Sequence, residues 1–162
     1  MVDDDAAVAR RELLTTIGET LKAVRLFKNG MPVHHSAVPA GTLQLLAAID
    51  RMSPGTDSAC HLKDLAVHSS LDPSTVSRSV AALVKSGLVE RTADPADGRA
   101  SVLTVTPHGR ETLNEVMGWA TDNLADVLRD WTRQDLAAFT SLMQRFATDL
   151  KSRYDTSLEA AR

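Results

Sequence analysis

The sequence predicts a mostly α-helical chain with one small β-hairpin, on three observations. Apolar residues recur at spacings of three and four through long stretches with few interruptions, the signature of amphipathic helices. Asp72-Pro73 and Thr106-Pro107 repeat one kind of helix start, in which a capping side chain precedes a proline that loses no needed donor at the first helical position. The β-prone runs 88–92 and 101–106 are joined by ADPADGRA, whose Pro, Asp and Gly suit a hairpin loop. With 162 residues, 43% of them hydrophobic, the chain is long enough to bury one real core, and only eight glycines and six prolines interrupt it.

Residues 5–29 set Leu13, Leu14, Ile17, Leu21, Val24 and Leu26 mostly three or four apart and stop at Asn29-Gly30, which reads as a long helix. A linker, MPVHHSAVPAG, leads to a second helix over 42–52, closed by the turn residues SPGTD. A short helix over 61–69 turns Leu62, Leu65 and Ala66 inward. Next comes a helix over 73–86, with Gly87 as its left-handed terminator, and then the hairpin. A long helix over 107–129 follows, with Leu113, Val116, Met117, Ala120, Leu124, Val127 and Leu128 on its apolar side. Thr132 with Asp135 resembles a capping box and opens the last helix, which carries Leu136, Phe139, Leu142, Met143, Phe146, Leu150 and Tyr154. These flanking helices are too long and too apolar for a small domain to cover, and a second copy of the chain is the natural cover. The organisation is therefore an N-terminal helix and linker for dimerisation (1–38), a helix-turn-helix with a two-stranded wing (39–106), and C-terminal dimerisation helices (107–162).

Charge and cysteine content narrow the function classes. The single cysteine, Cys60, excludes an internal disulfide framework and any multi-cysteine zinc site, and it suits a cytoplasmic protein. The N-terminus MVDDDAAVARRELL is acidic and lacks the apolar core of a secretory signal, and no apolar run is long enough to span a bilayer, so no membrane role is expected. Net charge is −3, which argues against a nucleic-acid binder until its distribution is read: residues 61–110 carry six basic and five acidic side chains, leaving the excess acid elsewhere.

A helical wheel of 74–85 puts Val76, Val80, Leu83 and Val84 on the inward side and Ser74, Arg78 and Lys85 on the outward one, flanked by Thr75 and Ser77. The outward face is slim and polar with an arginine in its N-terminal half, the shape a major groove admits and the side chain best suited to guanine. An ordinary solvated helix would carry Glu–Lys pairs, yet 73–86 has no acid at all. At the hairpin turn, Arg99 is placed to reach a minor groove, with Asp97 holding Arg99 or Arg91 in a fixed rotamer unless the pair is merely a solvated turn. The expected DNA-binding residues are thus Ser74, Thr75, Ser77, Arg78, Lys85, Asp97 and Arg99.

From residue 62 to 109 the chain resembles the winged helix of the MarR family of regulators, in DLAVHSSLDPSTVSRSVAALVKSGLVER, in DGR at 97–99 and in LTVTPHG. The similarity extends over nearly the whole chain, with one long and one short helix before the motif and two long helices after it. The resemblance implies a homodimer with intertwined terminal helices that binds palindromic double-stranded DNA as a transcriptional regulator, a repressor in the first instance. It also implies, as in many relatives, a small phenolic or other lipophilic aromatic ligand that releases DNA, with Leu21, Val24, Leu46 and Trp119 as the candidate pocket residues. The long polar linker MPVHHSAVP departs from many relatives. A constitutive regulator would show the same residues as core, and a winged helix used only for protein binding is the rival from another class.

Other chemistry is weakly supported. Cys60 lies in the run SPGTDSACH with no second cysteine to resolve a sulfenic acid, and it reads as an incidental small residue. His34, His35, His61, His68 and His108 form no HxxxH pair, and adjacent histidines point apart, so no metal is expected. Ser36, Ser53 and the other serines lack a nucleophile elbow, and no glycine-rich phosphate loop occurs, so neither catalysis nor a cofactor is expected.

Overall fold

The computed structural model describes residues 2–31, 40–53, 59–95 and 100–159. Among them lie α1 (Val2–Asn29), α2 (Ala40–Met52), β1 (Cys60–His61), α3 (Leu62–Ser69), α4 (Pro73–Lys85), β2 (Val89–Ala93), β3 (Ser101–Val105), α5 (Pro107–Val127) and α6 (Arg133–Glu159). The chain divides into two compact units, Met1–Ala120 and Thr121–Arg162, with the division inside α5.

The core of the first unit is built where α2, α3 and α4 present their apolar faces to the sheet. Leu46 and Ile49 of α2, Leu65 of α3, Val76 and Leu83 of α4 and Leu103 of β3 are fully buried there, with Val80 nearly so. Val84 is the exception to the expected inward set: it is 38% exposed, because it sits at the flank of the wheel and leans toward the polar side.

Between α3 and α4 the chain turns at Ser70, whose φ of 51° and ψ of 35° are left-handed. In this conformation the Ser70 and Leu71 amides donate back to the Val67 and Ala66 carbonyls at 3.2 and 3.4 Å, which satisfies two carbonyls at the end of α3. The start of α4 follows the expected chemistry, with Pro73 at its first position and the Asp72 carboxylate accepting the Thr75 amide at 2.8 Å. It ends as expected too. Gly87 adopts φ 71°, and the Gly87 and Leu88 amides donate to the Val84 and Leu83 carbonyls, each at 3.0 Å.

The sheet has the order β1-β3-β2 and is antiparallel throughout. The wing pair runs in register from Val89↔Val105 to Ala93↔Ser101, and the Asp94 amide donates to the Ala100 carbonyl at 3.0 Å, one step further toward the turn. Strand β1 is not predicted by the sequence, in which Cys60 follows the turn residues SPGTD. Two residues show no alternation, and only pairing of Cys60 with Leu103 and His61 with Val102 makes them a strand.

Thr106 ties the wing to α5. Its amide donates to the Leu88 carbonyl at 3.0 Å and its hydroxyl to the Gly87 carbonyl at 2.7 Å, while the same hydroxyl accepts the Gly109 amide at 3.0 Å. The contact is so close that a Cβ on Gly109 would run into the Leu88 carbonyl oxygen and lie 2.8 Å from the Val105 methyl. Near its other end α5 stops at Val127, two residues before the expected end, and Trp131 donates its amide to the Leu128 carbonyl at 2.9 Å.

In the second unit the expected capping box forms. The Asp135 amide donates to the Thr132 hydroxyl at 3.1 Å, and the Asp135 carboxylate accepts from the Thr132 amide at 3.1 Å and from its hydroxyl at 2.6 Å. Trp131 meets Phe139 edge to face with ring centroids 5.4 Å apart. Along α6, Leu136, Phe139, Leu142, Met143, Leu150 and Tyr154 are all exposed. Helix α1 likewise exposes Val8, Leu13, Leu14, Leu21, Val24 and Leu26.

Candidate nucleic-acid interface

The outward stripe of α4 is a consequence of its buried one. With Val76, Val80 and Leu83 seated in the core, Ser74, Ser77, Arg78, Ala81, Val84 and Lys85 are left exposed along one face. Four of the residues expected to meet DNA, Ser74, Ser77, Arg78 and Lys85, therefore share a surface. Thr75 is half-buried at its edge, with its backbone amide committed to Asp72. Asp97 and Arg99, the expected wing contacts, lie outside the described residues, as do His34, His35 and Ser36. The two strands of the wing are described, and Arg91 is exposed in the middle of β2.

Arg78 is anchored rather than extended: its Nε donates to the Ser74 carbonyl at 3.2 Å and its Nη2 to the Ser74 hydroxyl at 3.3 Å. Asp72 places a carboxylate at this end of α4. Hydrogen bonds from the Ser74 hydroxyl and from Thr75 hold its carboxyl well below the usual carboxylate range, so it stays ionised while its oxygen faces donors of its own chain.

One polar contact between β1 and the residue after β2 has no signal in the sequence. His61 Nε2 lies 2.7 Å from Asp94 Oδ2, and His61 Nδ1 lies 3.4 Å from Asp64 Oδ2. The hydrogen bond with Asp94 raises the His61 pKa above its ordinary value, helped by both charges and opposed by desolvation. Residues 33 apart in sequence make this bond, and no local pattern announces it. Cys60, next to it, is fully buried, and burial pushes its thiol up to about 11, with Asp64 adding to the effect. A buried thiol of that kind is a poor nucleophile.

The four candidate pocket residues are dispersed. Leu46 belongs to the packed core of the first unit, Leu21 and Val24 are exposed on α1, and Trp119 is half-buried with its ring centroid 5.0 Å from that of Phe27. Phe27 is the aromatic partner that the sequence reading missed.

A profile described as the MarR family matches residues 38–100. An uncharacterized HTH-type transcriptional regulator of Bacillus subtilis (strain 168), YxaD, is 35% identical over 101 residues, covering 62% of this chain and 67% of its own. The crystal structure of MarR superposes with a TM-score of 0.70 at 24% identity, over 88% of this chain and 94% of that one. The PcaV transcriptional regulator of Streptomyces coelicolor, solved in complex with its natural ligand, gives a TM-score of 0.64 at 22% identity over 82% of this chain and 89% of that one. At those identities the two solved structures speak to the fold.

Proposed function

This chain belongs to the MarR family of transcriptional regulators, and from that premise we propose that it acts as a homodimeric repressor, each protomer laying α4 into the major groove of one half of a palindromic operator. The observation that carries the proposal is the exposed face of α4, slim, free of acid and centred on Arg78. Arg78 is the base reader, able to give guanine two parallel hydrogen bonds. Thr75, Ser77 and Lys85 set the helix against the backbone, Ser74 stands beside Arg78 on the same face, and Arg99, with Asp97 as its support, reaches the minor groove from the wing. The protein works in the cytoplasm, where that DNA lies.

Dimerisation is supported by the exposed leucines, Phe139 and Tyr154 on α1 and α6, a larger apolar display than a soluble monomer sustains. Release by a small aromatic ligand is supported by the Phe27–Trp119 pair, whose Phe27 lies on α1 with exposed Leu21 and Val24. The ligand in the PcaV structure supplies an analogy for it. Such a ligand acts only through different affinities for the DNA-bound and released states.

Selection of bound sequences from random DNA, followed by footprinting on the selected site, tests the core of the proposal. Wild type should enrich a palindrome whose half-sites lie about 10 base pairs apart. Arg78→Ala should cost about 1–3 kcal/mol on that site and relax one base pair per half-site. Equal losses on selected and random DNA would reassign Arg78 to a phosphate.

A further inference from the structure

The hold on Arg78 is part of a longer chain of hydrogen bonds. The Ser74 hydroxyl can accept from Arg78 because its own proton is committed elsewhere, donated to Asp72 Oδ1 at 2.6 Å. The same Oδ1 takes the Thr75 amide, so the carboxylate is itself fixed as the cap of α4. Hydroxyls within helices of this protein behave differently: those of Thr15, Thr16 and Thr20 donate to the carbonyl four residues earlier, as Thr140 and Thr148 do on α6. Ser74 sits at the second position of its helix, where no helical carbonyl precedes it by four. Its proton goes to the cap, and its lone pairs are left for the arginine.

Which edge of the guanidinium is held decides what remains. Nε and Nη2 form the side edge, and Ser74 occupies both through its carbonyl and hydroxyl. The end fork of Nη1 and Nη2 is left to meet an acceptor pair, and guanine N7 and O6 are such a pair in the major groove. An arginine already ordered in this way surrenders less rotamer freedom when it docks.

We infer that Ser74, oriented by Asp72, is a positioning residue that pre-orders Arg78 for end-on recognition of guanine. This rests on the reading in which Arg78 meets a base, and it deepens that reading. Preference at one base pair then depends on a hydroxyl that need not touch the base.

A double-mutant cycle in the full chain tests it, with Ser74→Ala, Arg78→Ala and the double variant, each measured on the selected operator and on random duplex of equal length. Thermal melts establish that each variant folds, and Ser74→Thr restores the hydroxyl. Ser74→Ala should weaken the operator complex about three- to tenfold, the range of one hydrogen bond, and leave random DNA unchanged. In the Arg78→Ala background it should have no further effect. In the free protein, the Arg78 Nη2–H signals in a nitrogen-15 spectrum should be resolved from those of Nη1 in wild type and Ser74→Thr and averaged with them by rotation in Ser74→Ala, which keeps only the Nε bond to the backbone carbonyl. Additive losses in the cycle, or equal losses on both DNAs, would make Ser74 a direct phosphate contact and overturn the positioning role alone. An Arg78→Ala variant that keeps its sequence preference overturns the base reading, and the inference with it.

Discussion

At the scale of single residues, the positions that matter most are those where neighbours leave no freedom. Gly109 is one, because the Leu88 carbonyl and Val105 occupy the place of a side chain. Gly109→Ala should cost about 1–3 kcal/mol, since the obstructing atoms include backbone already bonded to Thr106. Urea denaturation measures it, and a cost near zero would mean that α5 can shift away from the wing. His61 gives a pH-dependent contribution whose sign follows from its raised pKa. The folded state favours the protonated ring, so the stabilisation is fully present below the ordinary value of 6.5 and is lost as pH rises through the folded value. Melting wild type and His61→Gln from about pH 6 to about pH 9 should show their difference shrinking with pH. A constant difference would assign the residue a packing role only.

At the scale of elements, caps and terminators set the boundaries, and they are local enough to read from the chain. Asp72-Pro73, Gly87, Thr106-Pro107 and Thr132 with Asp135 do in the structure what their chemistry predicts, because each acts on amides or carbonyls within a few residues. Hydrogen bonds from Thr132 hold the Asp135 carboxyl below its usual range, which ties the start of α6 to an ionised Asp135. Thr132→Ala should lower helix stability by about 0.5–2 kcal/mol, the range for losing a cap, and amide exchange in the first turn of α6 should accelerate. Unchanged exchange there would show that packing alone defines this terminus. The two-residue strand β1 and the left-handed turn at Ser70 were not legible in the same way. The first exists only through β3, and the second is a strained serine with no glycine to mark it.

At the scale of the whole molecule, the exposed apolar faces of α1 and α6 are the largest unfinished feature. Deleting residues 132–162 should leave a monomeric or aggregated chain with much weaker operator affinity, because two reading helices must sit about 10 base pairs apart to share a palindrome. Light scattering and gel shifts together decide this, and a truncated chain that still dimerises and binds normally would move the interface elsewhere. The same faces explain why the core was only partly legible. Periodicity marks which side of a helix is apolar, as it did for Leu46, Leu65, Val76 and Leu83, and also for the residues of α1 and α6 that a single chain leaves exposed.

By itself, the sequence determined the helices, their caps, the wing and the acid-free outward face of α4. Each of these is written in contacts between residues at most a few positions apart, or in the repeat of a helix or strand. Tertiary structure decided the rest: that Cys60 and His61 form a third strand, that His61 meets Asp94, that Gly109 has no room for a side chain and that Val84 stays at the surface. It also decided that Ser74 holds one edge of Arg78. The physical reason is that these outcomes depend on which atoms arrive at a given distance once distant segments, or side chains with several rotamers, have packed, and a linear pattern does not specify distance.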